Sequence, residues 1–262
     1  YLTSGSLIKS YNTIKAQRTI KNYLKTFEEE TGFVITFDKL NDLFYEELMK
    51  YSFFEKEIKN NYFAKIIAVL KSFVRWSIDK NYTTNRDFEK FKGIEHDVDI
   101  IYLTYDELIK LYNHDFENSR LNHVKDFYCM GCFTGLRFSD LSQLHRANIT
   151  ETHINISIQK TKTQNHIISL NKFSKEILDK YRGTIYEPLP KISQQKFNDY
   201  IKDCCEIIEL DKPTTITWFI GTKKVQNTVP KHQLITSHTA RKTFITNSLL
   251  LGMEPKAIKK IA

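Results

Sequence analysis

Apolar residues recur at three- and four-residue spacing along much of the chain, which is the pattern of amphipathic helices. Over the first 80 residues this spacing predicts helices at about 10–30, 38–51 and 56–79. Gly32 is placed to end the first of them. Lysines occupy the other faces, as in a small helical bundle with a solvated surface. Little periodicity remains over residues 81–103, where polar residues and mixed charges predict a linker.

The rest of the chain mixes helices with short strands. Thr104 and Glu107 have the spacing of a capping box and predict the start of a helix, and apolar residues on several faces of 120–134 predict a buried one. Period-two alternation over 154–158 and 166–170 predicts a β-hairpin, and a second hairpin is expected around Gly221. Further helices are predicted at 138–144, 172–182, 193–208, 237–251 and 254–262.

The expected fold class is therefore mainly α with small β-hairpins. We predict a helical domain at 1–97, a linker at 98–103 and an α+β domain at 104–262. No run of 18 apolar residues occurs, so no membrane-spanning helix is predicted. The N-terminus lacks a charged segment followed by an apolar one, so no signal peptide is predicted, although the chain lacks an initiator Met and is expected to be a fragment.

Charge indicates the class of partner. The 262 residues carry a net charge of +8, with a sequence pI near 9.1, and most of the excess falls after residue 97. A basic protein of this kind suits a polyanionic partner, with nucleic acid as the first candidate.

The four cysteines bear on metals and cellular compartment. Cys129 and Cys132 have the C-x-x-C spacing of a redox centre or half a zinc site. Cys204 and Cys205 are adjacent, and adjacent helical positions point about 100° apart, which makes a poor second half-site. We therefore expect buried, reduced thiols, no metal or cofactor, and a cytoplasmic protein.

Candidate chemistry lies in two separated stretches. Arg137 follows Gly135 where a helix restarts, and His238 and Arg241 are three residues apart, so they share a helix face. Two guanidiniums and an imidazole together would form a phosphate site without a metal. Each residue alone is typical of an ordinary surface position, so the interpretation depends on the ordered set, to which the hairpin turn adds Lys160 or Lys162.

This order of residues resembles the catalytic domain of the tyrosine recombinases, the phage-integrase family. The segment T-G-L-R-F-S-D-L at 134–141 resembles the family's first arginine box, Lys162-Thr163 its hairpin lysine, and H-T-A-R at 238–241 its second box. The resemblance covers 104–262, and the helical segment before it suits the family's core-binding domain. The Ser-Asp-Leu ending of the first box is most similar to integrases of Bacteroidetes mobile elements, including conjugative transposons.

The resemblance implies a site-specific recombinase that cuts and rejoins DNA through a 3′-phosphotyrosine intermediate, integrating or excising a mobile element. Arg137 and Arg241 would hold the non-bridging phosphate oxygens, and His238 would hydrogen-bond the phosphate or move the nucleophile's proton. Lys162, with Lys160 as the alternative, would protonate the leaving oxygen.

The same resemblance implies a supporting role and a set of partners. Asp140 would orient the site. The two domains would form a clamp on double-stranded DNA at attachment sites, and the full-length protein would act as a homotetramer on two DNA sites. Host- or element-encoded DNA-bending factors are further partners, and the location would be the cytoplasm, at the nucleoid.

One departure from the family pattern changes the expected activity. The family has another His or Trp and then the nucleophilic Tyr downstream of the second box, whereas the last tyrosine here is Tyr200. We expect that the chain stops a few residues short of these groups and binds DNA without cleaving it. The alternative is a non-catalytic DNA-binding protein, such as a regulator or excision accessory factor, that keeps this fold. A third interpretation is an enzyme similar to type IB topoisomerases.

Overall fold

A computed structural model of the chain describes residues 9–158 and 163–261. These residues divide into two units. The first contains the described residues up to Val98 together with Ile216–Asn227, and the second contains Asp99–Thr215 and the residues from Thr228 onward.

Helices dominate both units, with short antiparallel strands, and this confirms the predicted fold class. The helices are α1 Tyr11–Thr31, α2 Asp42–Lys50, α3 Asn60–Asp79, α4 Tyr105–Asn113, α5 Ser119–Thr134, α6 Phe138–Leu141, α7 Lys172–Tyr181, α8 Gln194–Ile207, α9 Ser237–Leu250 and α10 Pro255–Ile261. The strands are β1 Asn148–Ile149, β2 His153–Ile158, β3 Thr163–Ser169, β4 Pro213–Ile220 and β5 Lys223–Pro230. Within the described part of the chain, no helix combines the length and the apolar character needed to cross a membrane.

The first unit is organised around an aromatic core. Phe27, Phe44 and Phe63 are fully buried, and the first two meet edge to face. Phe88 and Phe91 complete this core from a short 3₁₀ turn. The predicted linker at 81–103 is therefore wrong around Phe88 and Phe91, which are part of the core of the first unit. The sequence pattern missed them because two isolated aromatic residues produce neither helical nor strand periodicity.

The predicted helix at 38–51 begins later in the structure. Asp38 lies in a short 3₁₀ turn, and α2 starts only after Asn41. The Asn41 side chain accepts a hydrogen bond from the Phe44 backbone N–H at 3.2 Å, which makes it the N-cap. Both residue types cap helices well, so the pattern alone did not decide between them.

The tip of the β4–β5 hairpin belongs to the first unit, and its turn lies at Gly221 as predicted. The buried side-chain amide of Asn60 accepts from Gly221 N–H at 2.7 Å and donates to Gly221 O at 2.9 Å. His96 stacks on Phe219 with ring centroids 4.2 Å apart. Two backbone bonds to one side chain hold the hairpin turn at the N-terminal end of α3.

The second unit is built around α5. From Val124 onward every residue of this helix is buried, and it packs against α4, α7, α8 and α9, which confirms the predicted central helix. The predicted capping box at the start of α4 is present, with Thr104 and Glu107 bonding each other's backbone N–H groups. Helix α5 is therefore the central helix against which four other helices of the second unit pack.

A three-stranded antiparallel sheet lies in the same unit. Strands β2 and β3 form the predicted hairpin, with buried Ile154 opposite buried Ile168, and β1 pairs with the other edge of β2. Strand β1 has only two residues, too few for an alternating pattern, and was not predicted. The helix after Arg137 is shorter than predicted, since α6 ends at Leu141 and Leu144 is buried through a separate 3₁₀ turn.

Candidate functional site

The first predicted arginine lies at the junction between two helices. Gly135 ends α5 with φ of 71°, the left-handed conformation that glycine adopts most readily, and its N–H bonds to Gly131 O. Arg137 follows in an extended conformation as the N-cap residue of α6. Its side chain is 29% exposed, and its Nη1 lies 3.9 Å from Oδ2 of the buried Asp140. The turn thus presents a guanidinium beside a carboxylate that solvent does not reach.

Small residues let α9 approach this turn closely. A Cβ atom on Gly131 would lie 3.1 Å from Cβ of Ala240, and one on Gly135 would lie 2.6 Å from Cδ1 of Phe244. The second distance is shorter than real carbon–carbon contacts allow, so any side chain at Gly135 would displace the Phe244 ring. The fold therefore depends on glycine at this position for packing as well as for backbone conformation.

Arg241 meets the turn from α9. Its Nη1 donates a hydrogen bond of 2.8 Å to Gly135 O. Burial lowers the pKa of Arg241 below its usual value, the positive charge of Arg137 lowers it further, and the negative charge of Asp140 opposes this effect. The structure thus brings Arg137, Asp140 and Arg241, which are spread over about a hundred residues of sequence, into one electrostatic cluster.

His238 lies on the same helix, three residues before Arg241, and is exposed. The start of the helix is held by Thr236, whose side chain takes part in a capping box with Thr239, and by a hydrogen bond of 2.9 Å from Ser237 N–H to Asn198 Oδ1. The spacing puts the imidazole and the Arg241 guanidinium on one face of α9.

The hairpin lysines, Lys160 and Lys162, lie outside the described residues. The flanking strands β2 and β3 end at Ile158 and begin at Thr163. The choice between the two lysines therefore stays a prediction.

All four cysteines are buried and free, as expected from the sequence. Burial raises the pKa of the Cys129 and Cys132 thiols well above the ordinary value and raises the pKa of Cys204 to about 12. Within residues 9–158 and 163–261, no three His, Cys, Asp or Glu side chains are grouped so that they could hold a metal ion. The thiols are thus packed as small apolar groups and held in their unreactive, protonated form.

Comparison with known proteins gives a fold assignment. No protein-family model matches the sequence, and no curated protein matches it. Among solved structures, that of the Tn1549 transposon integrase in complex with transposon right end DNA has a TM-score of 0.69 at 14% identity, over 97% of this chain and 86% of that one. A lambda integrase dimer bound to a COC′ core site has a TM-score of 0.67 at 15% identity, over 99% of this chain and 90% of that one. This chain has the tyrosine recombinase fold.

The cluster of Arg137, Asp140 and Arg241 is suited to binding an anion. Two guanidiniums held close to each other repel, and an anion that accepts hydrogen bonds from both would remove that repulsion. The planar fork of each guanidinium matches two oxygens of a tetrahedral phosphate. The carboxylate of Asp140 offsets part of the positive charge at Arg241 and at Arg137, so it acts on both arginines.

Two structural features of the site were not predicted from the sequence. One is the close approach of α5 and α9 at Gly131 and Ala240, and the other is the acceptance of the Arg241 bond by the carbonyl of Gly135. A pair of small residues in two otherwise bulky helices was the available signal for the first. The hydrogen bond from Arg241 to Gly135 O had no signal in the sequence, because every residue carries a backbone carbonyl.

Proposed function

We propose that this chain is the DNA-binding and phosphate-binding part of a site-specific tyrosine recombinase, which integrates or excises a mobile element. In this proposal residues 1–97 form a core-binding domain, 98–103 a linker, and 104–262 the catalytic domain. The fold shared with the two integrases supports the proposal, and both of those structures were determined with DNA.

One observation supports it most strongly, namely that Arg137 and Arg241 meet at the turn between α5 and α6, where Arg137 lies beside Asp140 and Arg241 bonds to Gly135 O. A half-buried guanidinium whose pKa is lowered by burial and by a second guanidinium is destabilised in the absence of an anion. A DNA phosphate held by both arginines would compensate that cost. It would also receive more stabilisation as negative charge develops on its oxygens during phosphoryl transfer.

The remaining residues take supporting roles in this chemistry. His238 hydrogen-bonds the phosphate or moves the proton of the nucleophile, and Lys162, with Lys160 as the alternative, protonates the leaving 5′-oxygen. Asp140 orients Arg137 and does not touch DNA. In a recombinase that carries its nucleophilic tyrosine, loss of either arginine would reduce the rate of DNA cleavage by about 10²–10³. This is the magnitude found when one donor is removed from an oxyanion-stabilising site.

The 262 residues contain no tyrosine after Tyr200, so none follows Arg241. We therefore expect this polypeptide to bind duplex DNA without forming a phosphotyrosine bond. Incubation with a nicked suicide substrate, followed by denaturing electrophoresis, should give no covalent protein–DNA product. A covalent product would show that one of the tyrosines present acts as the nucleophile. If a tyrosine-bearing segment taken from a tyrosine recombinase were fused after Ala262 and the chain still bound DNA without giving a product, a non-catalytic DNA-binding protein would be favoured.

Partners and location follow from the proposed reaction. Recombination between two attachment sites requires two duplexes, and the active recombinase would be a homotetramer, with host- or element-encoded DNA-bending factors shaping the sites. Such a protein would act in the cytoplasm, at the nucleoid.

A salt titration of DNA binding tests the phosphate site. The affinity for candidate attachment-site duplex, measured by fluorescence anisotropy, should fall steeply with salt because phosphate contacts release counterions. Arg241→Ala should weaken binding and reduce the slope of log affinity against log salt by about 1. Arg241→Lys keeps the charge but loses the planar fork, so affinity should fall while the slope stays close to that of the wild type.

Arg182 provides a matched control in the same unit. Its guanidinium is exposed and already pairs with Glu151 and Asp179. Arg182→Ala should leave both affinity and slope nearly unchanged. Binding that ignores salt, or an equal loss in the Arg182 and Arg241 variants, would contradict the proposal.

A further inference from the structure

Helix α9 carries a second set of polar side chains on its buried side. Thr239, Thr243 and Asn247 are spaced four residues apart and form one stripe along the helix. All three are buried, and Thr243 is completely inaccessible to solvent. His238 and Arg241 lie on other sides of the helix, because their positions differ from this stripe by one or two residues.

Each member of this polar stripe has a defined partner in the second unit. Thr243 Oγ1 accepts a hydrogen bond of 2.9 Å from the backbone N–H of Leu103, and Asn247 Nδ2 donates one of 3.1 Å to the backbone oxygen of the same residue. The hydroxyl groups of Thr239 and Tyr128 are 2.9 Å apart, and Tyr128 lies fully buried on α5. The stripe thus bonds α9 to α5 through Thr239 at one end and to the backbone of Leu103 through Thr243 and Asn247 at the other.

These bonds add a directional constraint to the apolar contacts between α5 and α9. Gly131 and Ala240 allow the two helices a close approach, and Phe244 packs on Gly135, but apolar contacts are not directional. Hydrogen bonds are directional and weaken steeply when misaligned. A rotation of about 20° would move a side-chain tip at a radius of about 6 Å by about 2 Å. That displacement is enough to break the 2.8 Å bond from Arg241 to Gly135 O.

We infer that Thr243 is a positioning residue, which with Asn247 sets the rotation of α9 and thereby holds the Arg241 guanidinium beside Arg137. It acts through the helix and does not touch DNA. Leu103 is the last residue of the predicted linker, so the same bonds join the end of that segment to the helix that carries the site. The consequence for DNA binding rests on the proposed function, whereas the placement of Arg241 does not.

The direct test is an NMR measurement on Thr243→Val, which keeps the shape of the side chain and removes its hydroxyl. The readout is the guanidinium ¹H–¹⁵N signals of Arg241, assigned by their loss from the spectrum of Arg241→Lys. We expect these signals to shift and to exchange faster with water in Thr243→Val. Thr243→Ser, which restores the hydroxyl, should return them to their wild-type positions.

Thr246 supplies the matched control on the same helix. It is partly buried, and its hydroxyl takes part in none of the hydrogen bonds found among the described residues. Thr246→Val should leave the Arg241 signals unchanged. If Thr243→Val does not fold, Asn247→Ala removes only the bond to Leu103 O and should shift the same signals in the same direction. Arg241 signals that stay at their wild-type positions in a folded Thr243→Val or Asn247→Ala protein would overturn the inference.

A binding cycle separates this inference from the proposed function. Thr243→Val should weaken binding to attachment-site duplex by about fivefold, the effect of one ordinary hydrogen bond. It should have no effect on binding when Arg241 is already alanine, because the residue acts only through that side chain. Equal losses in both backgrounds would overturn the inference. A wild-type protein that binds no DNA, but whose Arg241 signals respond to Thr243→Val, would refute the proposed function alone.

Discussion

Replacement of Gly135 by alanine tests the packing on which the site depends. The new methyl group would lie 2.6 Å from Cδ1 and 2.9 Å from Cε1 of Phe244, and the backbone at this position has φ of 71°. Two costs therefore add. A non-glycine residue in the left-handed conformation costs about 1–2 kcal/mol, and overpacking of a close-packed interior costs about 1–3 kcal/mol. We expect Gly135→Ala to lower the free energy of unfolding by about 2–5 kcal/mol.

Gly183 separates these two costs. Its φ is 72°, almost the same as that of Gly135, but a Cβ atom there would meet nothing within 4 Å. Gly183→Ala should therefore lower the free energy of unfolding by only about 1–2 kcal/mol, from backbone strain alone. The difference between the two variants measures the steric contact with Phe244 and should be about 1–3 kcal/mol.

Urea denaturation followed by far-UV circular dichroism provides the measurement, because the elements around Gly135 are helices. At roughly 2–4 °C per kcal/mol for a protein of this size, Gly135→Ala should also melt several degrees below Gly183→Ala. If the proposed function holds, DNA binding should weaken in Gly135→Ala but not in Gly183→Ala. Phe244 lies three residues after Arg241, so its displacement would disturb the bond from Arg241 to the carbonyl of residue 135. Equal destabilisation of the two variants would refute the argument from close packing.

Further predictions concern the rest of the molecule. Asn60→Ala removes a buried side chain and leaves the partly buried backbone of Gly221 without its two partners, and it should cost about 2 kcal/mol in urea denaturation followed by Trp fluorescence. Asn61→Ala removes two bonds at an exposed position and should cost less than half as much, so equal costs would contradict the argument. The four buried thiols should not react with Ellman's reagent in the native protein and should all react in guanidinium, and rapid native reaction of any of them would contradict their burial. Burial lowers the pKa of His123 in the folded state, so on acidification the unfolded state binds a proton at this residue before the folded state does. The free energy of unfolding should therefore be highest above about pH 6.5 and should decrease as the pH falls through and below that value. His123→Gln should show a smaller loss over the same range, and an unchanged pH dependence would contradict this assignment.

The local parts of the fold could be predicted because they depend on neighbouring residues. The periodicity over 120–134 indicated a helix buried on several faces, and the capping box at Thr104 located the start of α4. The ordered set of Arg137, His238 and Arg241 indicated phosphate chemistry, because few other residue types bind that group without a metal. Errors occurred where two equally good local signals competed, as at Asp38 and Asn41, or where isolated aromatic residues filled a core, as at Phe88 and Phe91.

The sequence by itself determined the helical character of this protein, its basic charge and the residue types of its proposed phosphate site, because periodicity, charge and residue chemistry are properties of short segments. Only the tertiary structure decided how those residues meet. The contact between Gly135 and Phe244, the bond from Arg241 to a backbone carbonyl and the attachment of α9 to Leu103 each join positions more than a hundred residues apart. Such contacts depend on the close packing of whole helices, and no local pattern specifies them.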